Sequence, residues 1–280
     1  MIKFARSITG SMKVYIVTDM EGVDCVVLWR QTGIEGLDDP MYQYARHLLT
    51  AEVNAAVDGA VKGGASEVLV VDGHGANSAY NLIPEELSEE AHYVLGAPWD
   101  KYLPSFDDTF DMVFMVGQHA MAGTRLGVLD HTMSSRNWVN AYINGVKVGE
   151  IGFVAFFAGD YDVPVTFLSG DLAACKEAEA LIGGSIVTAA VKTGLGRNSA
   201  RCLAPRAARE LIRQGAREAI SKERAVKPLL SKSPVEVVVE LLDSASAKSF
   251  LSRRKCELVN ERTVKFTGEN VVEVYTNMFM

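Results

Sequence analysis

The chain has 280 residues, of which 48% are hydrophobic and 22% charged, with a formal net charge of −7. This length suits one large α/β domain or two modest ones around a substantial core. The acidic balance argues against a general nucleic-acid binder, which needs a basic surface to neutralise phosphates, and no run of about 18 apolar residues is present to cross a membrane.

Residues 1–11 carry basic side chains without the apolar stretch of a secretion signal. Because Met12 directly precedes the first strand-like run, they read as an N-terminal extension, disordered or the product of an early start, with the folded domain over 12–280. Val14–Thr18 is a β-branched run that predicts a buried strand ending at Asp19. Residues 41–64 have helical apolar spacing and a Gly-Gly stop. Val68–Val71 predicts the next strand, so strand, helix and strand make a parallel βαβ unit. Residues 92–96 and 111–116 read as further strands, the second ending at Gly117-Gln118-His119. Residues 138–148 predict a hairpin turning at Asn144-Gly145. A helix is expected over 149–159, opening at Gly149-Glu150, then a strand over Pro164–Leu168 and a helix capped by Asp171. Residues 185–191 form another strand, and a helix runs from Pro205 to about 224.

The stretches 194–205 and 227–234 look least regular. From 235 the pattern reads strand, helix, strand, helix. The fold class is therefore α/β: a largely parallel twisted sheet flanked by helices, with a smaller C-terminal α/β subdomain from about residue 192. Cys25, Cys175, Cys202 and Cys256 stand at no CxxC spacing. They read as reduced thiols packed as small hydrophobes in a cytoplasmic protein.

The chemistry gathers where strands end. Asp19 and Glu21 follow the first strand, His74 the second and His119 the fourth, and in parallel sheets the functional loops cluster at the carboxyl edge. In extended backbone Asp19 and Glu21 point the same way. Two carboxylates and two imidazoles meeting there suit zinc or a similar cation. Each signal alone has a bland reading: DxE among 35 acidic residues as an N-cap and a loop charge, His74 as a hydrogen-bonded structural histidine, Glu150 as a dipole-compensating helix start. Asp72 reads as a group that orients a ligand rather than binding metal. Three of the five histidines, His74, His119 and His131, fall in loops after strands, whereas His47 lies within a helix and His92 opens a strand.

The ordered motifs DMEG, DGHG, GQHA, HTMS and YINGVKVGEIG, with the later YDVPV, SGD and AAVKTGLGRNSARCLAP, resemble the D-aminopeptidase family of zinc metallopeptidases, the DppA type, over roughly residues 13–275. The resemblance implies two zinc ions per subunit, held by Asp19, Glu21, His74, His119 and Glu150 with Asp19 as the bridge, and His131 as the catalytic residue. Manganese or cobalt also suits such an O/N donor set. The resemblance further implies a homo-oligomeric decamer with enclosed active sites, acting on the N-terminal residue of short peptides, D-alanine among them, with no nucleic-acid or membrane partner. Two positions depart from the family pattern, Gly73 before His74 and Asp130 before His131, and both bear on the substrate pocket rather than on the ligands. The residues themselves leave open a metal-dependent amidohydrolase or phosphatase, and a peptide-binding, transport-associated protein without catalysis.

Overall fold

The computed structural model describes residues 11–75, 80–222 and 225–279. Apart from Ser11, the expected N-terminal extension lies outside them. In chain order the elements are β1 (Lys13–Thr18), α1 (Pro40–Gly63), β2 (Glu67–Val71), β3 (His92–Val94), β4 (Met112–Gln118), β5 (Trp138–Ile143), β6 (Val146–Val148) and α2 (Glu150–Gly159). There follow β7 (Val165–Asp171), α3 (Leu172–Ile182), β8 (Val187–Gly196), β9 (Ser199–Cys202) and α4 (Pro205–Ile220). The C-terminal part holds β10 (Val235–Leu241), α5 (Ser244–Phe250), β11 (Cys256–Asn260), β12 (Thr263–Gly268) and α6 (Val271–Phe279).

The main sheet has the order β3-β2-β1-β4-β7-β8-β9 and is parallel except for β9, which turns back along β8. Its central strands are buried on both faces, as their unbroken apolar runs require. In β1, Val14 and Ile16 point to the layer of α1 and α4, while Tyr15 and Val17 point to the opposite core. That second core contains α2 and α6 and the inner face of a second, antiparallel sheet of order β11-β12-β10-β5-β6. Nine of the ten residues of α2 are buried, because a helix apolar on every side has no solvent face to offer. The Asn144-Gly145 turn takes φ of 47° and 79°, the left-handed pair that a two-residue hairpin needs.

Three expectations are corrected. The stretch 194–205 is not irregular: β8 runs on through Gly196, and β9 pairs with it. Lys192 and the glycines hid this strand from a reading based on apolar runs, and Gly194 is there because a Cβ would collide with the Leu126 carbonyl. The C-terminal segment contains an additional strand, β11, whose residues are largely exposed and therefore show no apolar period. The second sheet is also not purely C-terminal, since β10 pairs with β5 of the 138–148 hairpin. Among the described residues, no helix is long and apolar enough to cross a membrane.

Candidate metal centre

β1 lies between β2 and β4, and the chain order runs outward in opposite directions from the β1–β4 boundary. At such a switch point the loops leaving the strands part and open a crevice. Asp19 and Glu21 enter it from β1, His74 from β2, His119 from β4, and Glu150 from the first turn of α2. The backbones cross closely here. The Asp19 amide donates to the Val116 carbonyl and the Gly22 amide to the Gly117 carbonyl, each at 2.8 Å. A Cβ on Gly22 would enter the Gln118 backbone, and Gly117 sits at φ +75° against the Asp19 carbonyl. The two glycines thus let β1 and β4 deliver their ligand-type residues to one point.

The structure brings all six residues singled out by sequence into this crevice. His74 Nδ1 stands 3.0 Å from Asp19 Oδ1 and 3.0 Å from Glu21 Oε2. His119 Nε2 stands 3.3 Å from Asp19 Oδ2 and 3.3 Å from Glu150 Oε1. His131 Nε2 is 3.6 Å from Glu150 Oε1, and its ring stacks on His119 at 4.0 Å. Each imidazole has its other nitrogen tied to a backbone carbonyl: His74 Nε2 donates to Thr32 at 2.8 Å, His119 Nδ1 to Ala120 at 2.9 Å and His131 Nδ1 to Leu129 at 2.9 Å. A carbonyl can only accept, so each of these bonds uses one ring N–H and leaves the other nitrogen of the ring facing the carboxylates.

Burial here is severe. Asp19 is pushed up to about 7, by desolvation first and by the neighbouring Glu21 charge second. Burial also raises the carboxyls of Glu21 and Glu150, but facing imidazoles outweigh it, with His74 holding Glu21 well below its usual range and His119 bringing Glu150 to about 2. Desolvation would lower His74 and His119; the carboxylates opposite raise both instead. His131 is lowered by burial and by His119 beside it. Asp19 Oδ2, both Glu21 carboxylate oxygens and His119 Nε2 are buried without a hydrogen-bond partner. Buried polar atoms are rarely left so, and an O/N set of this kind fits a zinc-type divalent cation.

Asp72 supports this arrangement from behind. Its carboxylate accepts from the Asn81 amide, from Asn81 Nδ2 at 2.7 Å and from the Leu82 amide at 2.9 Å, and Asn81 in turn donates to the His74 carbonyl. His47 pairs with Glu86 on the half-exposed face of α1, and His92 is exposed; neither joins the crevice. Lys192 is not among the residues singled out by sequence, yet it is fully buried in β8 and donates to the carbonyls of Glu21, Val23 and Val26. A lysine inside an otherwise apolar strand was its only signal. Equally unmarked in the sequence are Glu177, which accepts from the Met121 amide at 2.7 Å, and the Met133 amide, which donates to Glu150 Oε1 at 2.7 Å. The crevice opens into a cavity of about 550 Å³ walled by Trp99, Tyr102, Val154 and Phe279, with Ser134 and Arg136 also lining it.

The family model described as D-aminopeptidase, peptidase family M55, matches residues 12–280. A D-aminopeptidase of Bacillus subtilis (strain 168) is 34% identical over 282 residues, covering 96% of each chain. A solved structure of the Zn-dependent D-aminopeptidase DppA from Bacillus subtilis, described as a self-compartmentalizing protease, matches with a TM-score of 0.89 at 33% identity over 95% of both chains.

Proposed function

The chain belongs to the M55 D-aminopeptidase family, and from that premise we propose that it is a zinc-dependent aminopeptidase releasing the N-terminal residue, D-alanine among them, from short peptides. The observation that carries this reading is the buried constellation of unpartnered carboxylate and imidazole atoms in the crevice. Asp19 turns Oδ1 to His74 and Oδ2 to His119. Asp19 and Glu21 thus face His74, and Asp19 and Glu150 face His119, a division that supports two ions sharing Asp19. Bound there, two cations would act as Lewis acids toward the scissile carbonyl and make a water more acidic.

The protein's own groups do the rest. His131 keeps Nδ1 on the Leu129 carbonyl, so Nε2 takes up a proton and returns it to the leaving amine. Its neutral form is favoured by burial. The aromatic walls of the cavity exclude water from the scissile bond and accept an apolar side chain. Arg136, lining the same cavity, offers a charge for the carboxylate of a short peptide. Assembly into a decamer is part of the proposal, supported by the family resemblance and by the self-compartmentalizing description of the relative.

The test is metal analysis of the purified protein, followed by matched D-Ala and L-Ala peptides on the same sample. Zinc in the protein, release of D-alanine and a decamer in sedimentation velocity are expected. Turnover of phosphate esters in place of peptides, or peptide binding without cleavage, would overturn the reading.

A further inference from the structure

A separate group of metal-type donors lies outside the catalytic crevice. Asp24 and Cys25 stand on the loop that leaves β1, and Cys202 ends β9 at the edge of the main sheet. One ligand atom from each lies within 4.8 Å of the other two. Both thiols are free and partly exposed, which leaves an entry path. Asp24 is 1% exposed, and its Oδ1 has no hydrogen-bond partner.

We propose that Asp24, Cys25 and Cys202 form a structural site for a soft divalent cation, zinc or its thiophilic analogues, distinct from the catalytic ions. Two thiolates and one carboxylate are a donor set that selects such a cation over magnesium or calcium. The spacing agrees. Tetrahedral zinc holds a sulfur and a carboxylate oxygen about 3.5 Å apart and two sulfurs about 3.8 Å apart, and Cys25 Sγ lies 3.5 Å from Asp24 Oδ2. The remaining adjustment is at most about 1.3 Å, within the reach of a side-chain rotation.

The Cys25 thiol keeps its proton in this setting. It is pushed up to about 12, by burial first and then by the Asp24 carboxylate and Cys202. Buried Glu52 stands behind Asp24, its Oε1 accepting from the Asp24 amide at 2.9 Å. Lys192, the neighbouring cation, has its ammonium engaged by three loop carbonyls. A divalent ion would displace the thiol protons and tie the loop that carries Asp19 and Glu21 to β9.

The experiment titrates the protein as purified with cadmium alone, following the ultraviolet sulfur-to-cadmium charge-transfer band. The catalytic donors are oxygen and nitrogen, so the band reports this site whatever the fate of the proposed peptidase activity. Cadmium also displaces any zinc already held by thiolates. The expected result is a band saturating at stoichiometric cadmium, weakened by Cys25→Ser and by Cys202→Ser, abolished in the double variant and kept in Cys256→Ser. If the variants do not fold, alkylation mapping of the wild-type protein decides: cadmium should protect Cys25 and Cys202 while Cys256 still reacts. Absence of the band, a band indifferent to both serine variants, unprotected thiols or a native disulfide joining the pair would each overturn the proposal.

Discussion

Asp19 is the residue on which the candidate centre turns, because its two oxygens face different imidazoles. If Asp19 is shared by two ions as proposed, Asp19→Ala should lose all of its metal in elemental analysis, whereas retention of full occupancy would remove the shared-ligand role. His131 has a different part. His131→Ala should keep its metal and lose about 10²- to 10⁴-fold in turnover, the usual reach of a positioned acid–base group. Glu52 allows a test of stability instead. Its carboxyl is pushed by burial from 4.5 up to about 8, so the folded protein holds a proton that the unfolded chain releases near its ordinary value. A raised carboxyl of this sort favours folding at low pH, and that advantage is lost as pH climbs from about 4.5 to 8. Glu52→Gln keeps the acceptor for the Asp24 amide and cannot ionise. Denaturant titrations should show wild type losing stability relative to this variant across that window, by up to about 5 kcal/mol at full ionisation. Parallel curves would show that Glu52 does not titrate there. Asp19, Glu21, His74 and His119 were legible because each follows a strand within a few residues. Lys192 was not, since its role exists only once a loop distant in sequence folds over it.

At the scale of elements, helix α1 meets α4 through glycine. A Cβ on Gly59 would sit 2.8 Å from that of Ala216 and press on the Arg213 carbonyl. Alanine normally stabilises a helix interior by about 1 kcal/mol relative to glycine, while overpacking costs about 1–3 kcal/mol. Gly59→Ala should thus lower the thermal midpoint; a higher midpoint would mean that α4 can move away without loss. The same pair explains what periodicity conveyed. The apolar face of α1 was plain in the sequence, but its closeness to α4 depended on a residue with no side chain to mark it. Strand β11 is the converse case, formed by pairing with β12 while offering no apolar alternation of its own.

At the scale of the whole molecule, the second sheet holds the route to Glu150. Hairpin β5–β6 leads directly into α2, and β10 clamps the hairpin, with Val239 paired to Ala141. Val239 is fully buried. Val239→Asp would bury an unpaired carboxylate at a cost of about 3 kcal/mol or more, and metal content should fall together with stability. Val259→Asp, on exposed β11, should change stability by no more than about 0.5 kcal/mol. Equal effects of the two would mean that the second sheet is not what secures Glu150. By itself the sequence determined the alternation of strands and helices, the parallel sheet and the ligand-type residues at strand ends, because period and turn chemistry are local properties. Only the tertiary structure decided that the hairpin joins C-terminal strands, that Lys192 anchors the β1 loop and that Cys25 meets Cys202. Those meetings depend on backbone approach across long sequence separations, and no local pattern records them.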